Sequence, residues 1–139
     1  QYQKAVNKAK MAELKTFMGN AKRAVEIYIM ENGIPEGSLD LLNSGMLAIS
    51  LTDGMTCEAS SSTCYGKYFG YNILCSGGNI CEIIAFKNKD ENNWFLTALV
   101  TSDGRNWTPD SIYYQEDEPQ AKALCQDSAQ TFGGSCHLK

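Results

Sequence analysis

Histidine is nearly absent from this sequence: His137, close to the C-terminus, is the only one among 139 residues. Ser/His/Asp and Cys/His nucleophile systems use a histidine as the general base, so the sequence argues against an enzyme of that kind. Basic residues are also scarce, with 12 Lys and Arg against 16 Asp and Glu and a formal net charge of -4. A nucleic-acid-binding surface has the opposite balance, so no DNA or RNA partner is indicated.

Long apolar runs are missing as well. The sequence contains no stretch of about 18 or more apolar residues, the length that a membrane-spanning helix requires. The chain opens at Gln1 rather than at a methionine, and we therefore expect an export or anchor segment upstream of it. The length of 139 residues predicts a single domain over 1–139.

Cysteine, in contrast, is abundant for a chain of this size. The six cysteines fall into three pairs that are local in sequence, which predicts disulfide bonds in an oxidising compartment. Zinc is the alternative, but it favours Cys-x-x-Cys pairs or a mixture of cysteine and histidine, whereas the gaps within these pairs are longer and His137 is the only histidine. We predict no metal and no cofactor, and the three bridges Cys57–Cys64, Cys75–Cys81 and Cys125–Cys136.

The first 32 residues predict one long amphipathic helix that ends where Gly33 can adopt a left-handed conformation. Lys4 and Lys8 lie on the polar side, and Lys10 occupies a position where the apolar stripe should continue. We therefore expect the first ten residues to project from the domain as a poorly buried stem, and a frayed terminus is the alternative interpretation. The side chains predicted to pack beneath a sheet are Leu14, Phe17, Met18, Ala21, Val25 and Tyr28.

Charge is unevenly distributed along the chain. Residues 1–31 contain six basic and three acidic residues, a balance of +3, and the remainder contains six basic and thirteen acidic ones. A solvated helix face on an acidic protein explains this pattern most simply. A basic stem that attracts the acidic part of another copy is the alternative interpretation.

Residues beyond the helix are typical of an antiparallel sheet with polar turns. The predicted strands are 68–74, 80–87 and 94–101, with 106–108 or 112–114 as a fourth strand at the edge. The predicted fold is α+β: a long N-terminal helix packed on an antiparallel sheet of three or four strands. The regions are a helical stem and spine (1–33), a connecting loop (34–64), the sheet (65–115) and a disulfide-bounded C-terminal region (116–139), with a short helix at 121–125 followed by a loop.

This arrangement resembles the type IV pilins. The opening QYQKAVNKAK, at 1–10, looks like the stretch that follows the apolar membrane segment in many members of that family. The tail, with AKALC at 121–125 and FGGSC at 132–136, looks like their disulfide-bounded C-terminal region. The cleavage site and the apolar half-helix that are most diagnostic of the family are missing from this sequence.

The resemblance implies a structural subunit of a type IV pilus or similar filament on a bacterial cell, and not an enzyme. The subunit would be held in the inner membrane by an upstream helix and then become part of an extracellular filament. Its partners would be its own copies, other pilins and the pilus assembly machinery. Lys4, Lys8 and Lys10 are the candidate subunit contacts.

Two alternatives remain open at this point. A pseudopilin of a type II secretion system uses the same helix, but it commonly relies on a calcium-bound loop rather than on disulfides. Six cysteines and the absence of an Asp-x-Asp-x-Asp-Gly loop favour the pilin. A secreted, disulfide-rich binding module unrelated to filaments is the second alternative.

Overall fold

The computed structural model describes residues 2–33, 35–59, 63–76, 80–87, 94–101, 111–113, 129–132 and 135–138. One α-helix and nine strands lie in these ranges. They are α1 (Tyr2–Asn32), β1 (Leu39–Asp40), β2 (Thr56–Cys57), β3 (Cys64–Tyr65), β4 (Phe69–Ser76), β5 (Ile80–Lys87), β6 (Trp94–Thr101), β7 (Ser111–Tyr113), β8 (Ala129–Phe132) and β9 (Ser135–Leu138).

Helix α1 is 31 residues long, about 46 Å, because its apolar residues recur at helical spacing and no proline interrupts it. It ends as predicted. Gly33 adopts φ 76°, and its N–H donates to the carbonyl of Ile29 at 2.7 Å. The side chain of Asn32 donates to the carbonyl of Tyr28 at 3.1 Å. These bonds satisfy carbonyl groups that a helix C-terminus leaves unpaired.

The strands form one antiparallel sheet with the order β2-β3-β4-β5-β6-β7-β9-β8, and β1 pairs separately with β4. Three strands of eight residues, β4, β5 and β6, make up its centre. A register shift between Ala85 and Phe86 interrupts the β5–β6 pairing near its end. Helix α1 packs across the central strands, so the predicted α+β arrangement of helix on antiparallel sheet is confirmed.

The hydrophobic core lies between α1 and the inner face of the sheet. Alternate residues of β4 and β5 point toward the helix and are buried: Tyr71, Ile73, Cys75, Cys81, Ile83 and Ala85. The six helix residues predicted to pack beneath the sheet are all buried, together with Met11 and Ala24. Leu41, Leu42 and Leu51, from the segment that follows the helix, close the side of this core.

The sheet is larger than the three or four strands predicted. The three central strands are as expected, with β4 shifted by one or two residues, and β7 matches the strand predicted at 112–114. Its predicted place at the edge of the sheet is wrong, because β7 pairs with β6 on one side and with β9 on the other. The other short strands were missed. The connecting region 34–64 contains β1, β2 and the first residue of β3, and the tail forms a β8–β9 hairpin in place of the predicted loop. The helix predicted at 121–125 lies outside the described residues.

The first ten residues are less exposed than a free stem would be. Tyr2 is 81% exposed, but Asn7 is only 3% exposed, and Val6 and Lys10 are half-buried. Gln3 donates a hydrogen bond to the side-chain oxygen of Asn7 at 3.0 Å. The buried stripe of the helix therefore continues to Asn7 through a polar side chain, which hydrophobic periodicity does not detect. The exposed N-terminal part of the helix is shorter than predicted.

Candidate functional site

The lysines predicted as subunit contacts lie on the first three turns of α1. Lys4 and Lys8 are exposed and Lys10 is half-buried. None of the three forms an ion pair within the described ranges, whereas Lys22 pairs with Glu26 there at 3.9 Å. Their charges are therefore available to another molecule.

The described cysteines form two of the three predicted bridges, Cys57–Cys64 and Cys75–Cys81. Each bridge joins residues that lie directly opposite each other on neighbouring strands, in β2–β3 and in β4–β5 respectively. Cys136 lies in β9, whereas Cys125 is outside the described residues, and so is the bridge predicted between them. The two observed bridges fix the register of two hairpins of the sheet.

Glu13 makes the most extensive polar contact between the helix and the sheet. Its carboxylate accepts hydrogen bonds from the backbone N–H groups of Lys67, Tyr68 and Phe69, at 2.8, 3.2 and 3.2 Å. The hydroxyl of Tyr71 also donates to it, at 2.7 Å. We call this arrangement the Glu13 clasp. Hydrogen bonds to a charged acceptor are stronger than neutral ones, so the clasp ties the β3–β4 turn to the helix.

The local fold of the β3–β4 turn makes the clasp possible. Gly66 donates its N–H to the carbonyl of Phe69 at 2.8 Å, which closes the turn and directs the following N–H groups toward the helix. A Cβ atom at Gly66 would lie 3.0 Å from a carboxylate oxygen of Glu13, tighter than an ordinary contact. A glycine therefore allows the turn to approach the carboxylate closely.

Tyr71 joins the clasp to the aromatic core. Its ring stacks on Phe17 with the ring centroids 3.8 Å apart, and its side chain is buried. Burial, followed by the hydrogen bond to Glu13 and the charge of that carboxylate, raises the pKa of the Tyr71 hydroxyl far above its ordinary range. The hydroxyl therefore remains protonated and serves as a hydrogen-bond donor.

The Cys57–Cys64 hairpin is connected to the clasp through β3. Tyr65 donates a hydrogen bond from its hydroxyl to Glu58 at 2.6 Å, across the same hairpin, and Tyr65 pairs with Gly70 of β4. A Cβ atom at Gly70 would lie 2.5 Å from the ring of Phe86, so only glycine fits at that position. Turn, hairpin and helix thus form one cross-connected unit.

A groove of about 470 Å³ lies beside the clasp, between α1 and the loop at 50–55. Its walls combine apolar and polar side chains, and its only charged residues are acidic, Glu13 and Asp53. Ser50 donates to one carboxylate oxygen of Asp53 at 2.9 Å. The full lining is Ala12, Glu13, Thr16, Phe17, Asn20, Ser50, Leu51, Asp53 and Met55. We call this feature the acidic groove.

Metal-binding clusters and membrane-spanning helices are both absent from the ranges that the structure describes. No group of three or more His, Cys, Asp and Glu side chains there is arranged to hold a metal ion. No helix there is both long enough and apolar enough to cross a membrane.

Sequence reasoning missed both the clasp and the groove. Glu13 has charged neighbours such as Lys10 on the same helix and resembles an ordinary solvated residue. The one available signal was its position on the edge of the apolar stripe, one residue before the buried Leu14. The groove depends on how the 50–55 loop lies against the helix, and no local pattern encodes that placement.

Comparison with known proteins provides no relative for this fold or site. No protein-family model matches the chain. Searches of curated proteins and of solved structures likewise gave no match. The structure therefore defines the chain at the level of its class, an α+β protein with a helix packed on a disulfide-bonded antiparallel sheet.

Proposed function

We propose that this chain is the structural subunit of a type IV pilus or a pilus-like filament on a bacterial cell. The observation that carries the proposal is the asymmetry of α1. From Met11 to Tyr28 one face of the helix is buried under the antiparallel sheet, whereas Tyr2, Lys4 and Lys8 are exposed at its N-terminal end. A helix of this form can serve both as the spine of a domain and as its connection to an assembly.

In the proposed mechanism, one part of the subunit holds the filament together and another part forms its surface. An apolar helix upstream of Gln1 would hold the subunit in the inner membrane and would then pack with its copies in the filament core, where hydrophobic burial supplies cohesion. The sheet and its disulfide-linked hairpins would form the filament surface. The assembly machinery and other pilins would be its further partners.

The charge distribution supports this division. Lys4, Lys8 and Lys10 belong to a helical segment with a balance of +3, and the rest of the chain is acidic. In a filament, the basic turns of one subunit would lie close to acidic surface on its neighbour. Each exposed ion pair contributes only about 0 to 1 kcal/mol, so the lysines would guide register rather than hold the polymer together.

Immunogold electron microscopy tests the proposal directly. Antibodies raised against residues 1–139 should label surface filaments along their length on cells that express the full-length gene, and a strain without the gene should show no label. Label confined to the cell envelope, together with loss of protein secretion on deletion, would favour the pseudopilin of a secretion system. Label on secreted material without filaments would favour a free binding module.

A further inference from the structure

The acidic groove and the N-terminal turns of α1 carry opposite charges. Asp53 lies at the exposed rim of the groove, and it makes no ion pair within the described ranges. Its only hydrogen bond there comes from Ser50. Lys4 and Lys8 are likewise exposed and form no ion pair in those ranges. The other groove carboxylate, Glu13, is engaged in the clasp, and the groove lining contains no basic residue, so Asp53 favours a cationic partner.

Lys4 of the same molecule cannot fill the groove. Lys4 and Glu13 belong to one continuous helix and are separated by nine residues, or about 14 Å along its axis. Lys8 lies one turn before Ala12 of the groove, but it forms no ion pair with Asp53 in the part of the chain that the structure describes. Lys4 can therefore enter the groove only from a second molecule.

We propose that the acidic groove receives the basic N-terminal turns of α1 (Tyr2–Lys8) from a second copy of this chain. The inference rests on the proposed function, since it names the surface through which one filament subunit recognises the next. The ammonium groups of Lys4 and Lys8 lie against the carboxylate of Asp53, and their aliphatic stems lie on the apolar wall. That wall consists of Phe17, Leu51 and Met55, which suits long side chains with charged ends.

The surface of α1 that leads to the groove permits a second helix to approach. Ala5, Ala9 and Ala12 are all exposed and share one side of the helix, and Ala12 also lines the groove. Side chains this small allow the axes of two helices to approach each other closely. Tyr2, 81% exposed, is the large aromatic residue that the incoming turns would place against apolar surface.

This contact joins two different surfaces of the same chain. A contact of that type is heterologous, and it generates rings when it closes or open helical filaments when it does not. An open assembly has one free groove at one end and one free set of basic turns at the other. The geometry of the contact therefore matches the filament that the proposed function requires.

Photo-cross-linking between differently labelled copies tests the contact. In an unlabelled copy, a photoreactive residue replaces Thr16, which is exposed and lines the groove. This copy is mixed with a 15N-labelled copy of the full 139-residue chain. The expected product joins position 16 to a 15N peptide within Tyr2–Lys8. The matched control places the same group at Met30, which is 85% exposed at the other end of the helix. Equal capture of that peptide from both positions would contradict the proposal.

Charge reversal makes the test specific. Asp53→Lys in the groove copy, or Lys4→Glu with Lys8→Glu in the labelled copy, should each reduce the cross-link roughly two- to fivefold. Combining the two altered copies should restore it, because the charges are again opposite. If the cross-link yield of the two altered copies together stays as low as with either altered copy alone, the proposed charge pairing is wrong. Circular dichroism and the two disulfide bonds serve as checks that each variant is folded.

The failure of this inference is distinguishable from that of the proposed function. If position 16 captures Tyr2–Lys8 but cells without the gene keep their filaments, the contact is correct and the filament function is wrong. If the filaments depend on the gene but position 16 captures another segment inside them, the function is correct and this contact is wrong.

Discussion

At the scale of single residues, Phe17 shows how one side chain joins the helix to the sheet. It is 4% exposed, and its ring stacks on Tyr71 at a centroid distance of 3.8 Å. We expect Phe17→Ala to lower the free energy of unfolding by about 3 to 5 kcal/mol, because it leaves a cavity in a packed core. Lys4→Ala should change it by almost nothing, since Lys4 is exposed. Equal shifts of the urea midpoint for both variants would contradict this core.

Glu13 provides a second prediction at this scale. Glu13→Gln keeps the shape of the side chain but turns one acceptor into a donor that faces backbone N–H groups. The free energy of unfolding should fall by about 2 kcal/mol. Glu26→Gln is the control, because Glu26 forms a long ion pair with Lys22, at 3.9 Å. This variant should lose less than about 0.5 kcal/mol of stability. Urea unfolding of both variants measures the difference in stability. If Glu13→Gln lowers the free energy of unfolding by no more than Glu26→Gln does, the stabilising role of the clasp is wrong.

Tyr71 predicts a dependence of stability on alkaline pH. Its pKa is raised above the ordinary value of 10.0 in the folded protein, chiefly by burial. The unfolded chain therefore loses this proton first as the pH rises. The contribution to stability is complete below about pH 10 and is lost progressively above it. Tyr71→Phe removes this titration but keeps the other six tyrosines, so its stability should fall less steeply between about pH 9 and 11. If the free energy of unfolding falls equally steeply with pH in the wild type and in Tyr71→Phe, the titration of Tyr71 does not cause the loss of stability.

The burial of a side chain could be predicted where it results from a regular spacing of apolar residues. It could not be predicted where the side chain is polar and is buried with hydrogen-bond partners. The helix core from Leu14 to Tyr28 could be identified because apolar residues recur at helical spacing. Asn7 and Glu13 were missed because their partners are polar, and for Glu13 they lie more than fifty residues away in sequence. A charged side chain that binds distant backbone groups leaves no local signal.

At the scale of elements, the disulfides make a testable set. Cys57–Cys64 and Cys75–Cys81 each connect adjacent strands. Peptide mapping without reduction should find these two bridges and a third between Cys125 and Cys136. Replacing Cys75 and Cys81 together by serine should cost about 2 to 3 kcal/mol of stability. A bridge between different pairs, such as Cys57 with Cys125, would contradict the predicted set.

The central strands were predictable because eight-residue segments rich in β-branched and aromatic residues lie between polar turns. Strands of two residues such as β1 are too short to show such enrichment. The pairing of Leu39 with Cys75 joins segments more than thirty residues apart, so tertiary contacts rather than local preference create that strand. The β8–β9 hairpin was missed for a similar reason, since its sequence is rich in small and polar residues.

At the scale of the whole molecule, the structure separates the packed part of the helix from its basic, exposed end. Little apolar surface is exposed there besides Tyr2. Hence we expect the isolated 139-residue chain to remain monomeric or weakly associated in solution. If the proposed function is correct, it should form filaments only when the proposed upstream helix and the assembly machinery are both present.

The central claim, that this chain builds a filament, is tested most directly by counting surface filaments with electron microscopy in a strain that lacks the full-length gene. Complementation with the wild-type gene should restore the filaments. Complementation with Lys4, Lys8 and Lys10 all changed to Glu should restore far fewer, although the purified variant domain should unfold at the wild-type urea midpoint. Filament numbers that are unchanged by deletion of the gene would contradict the claim.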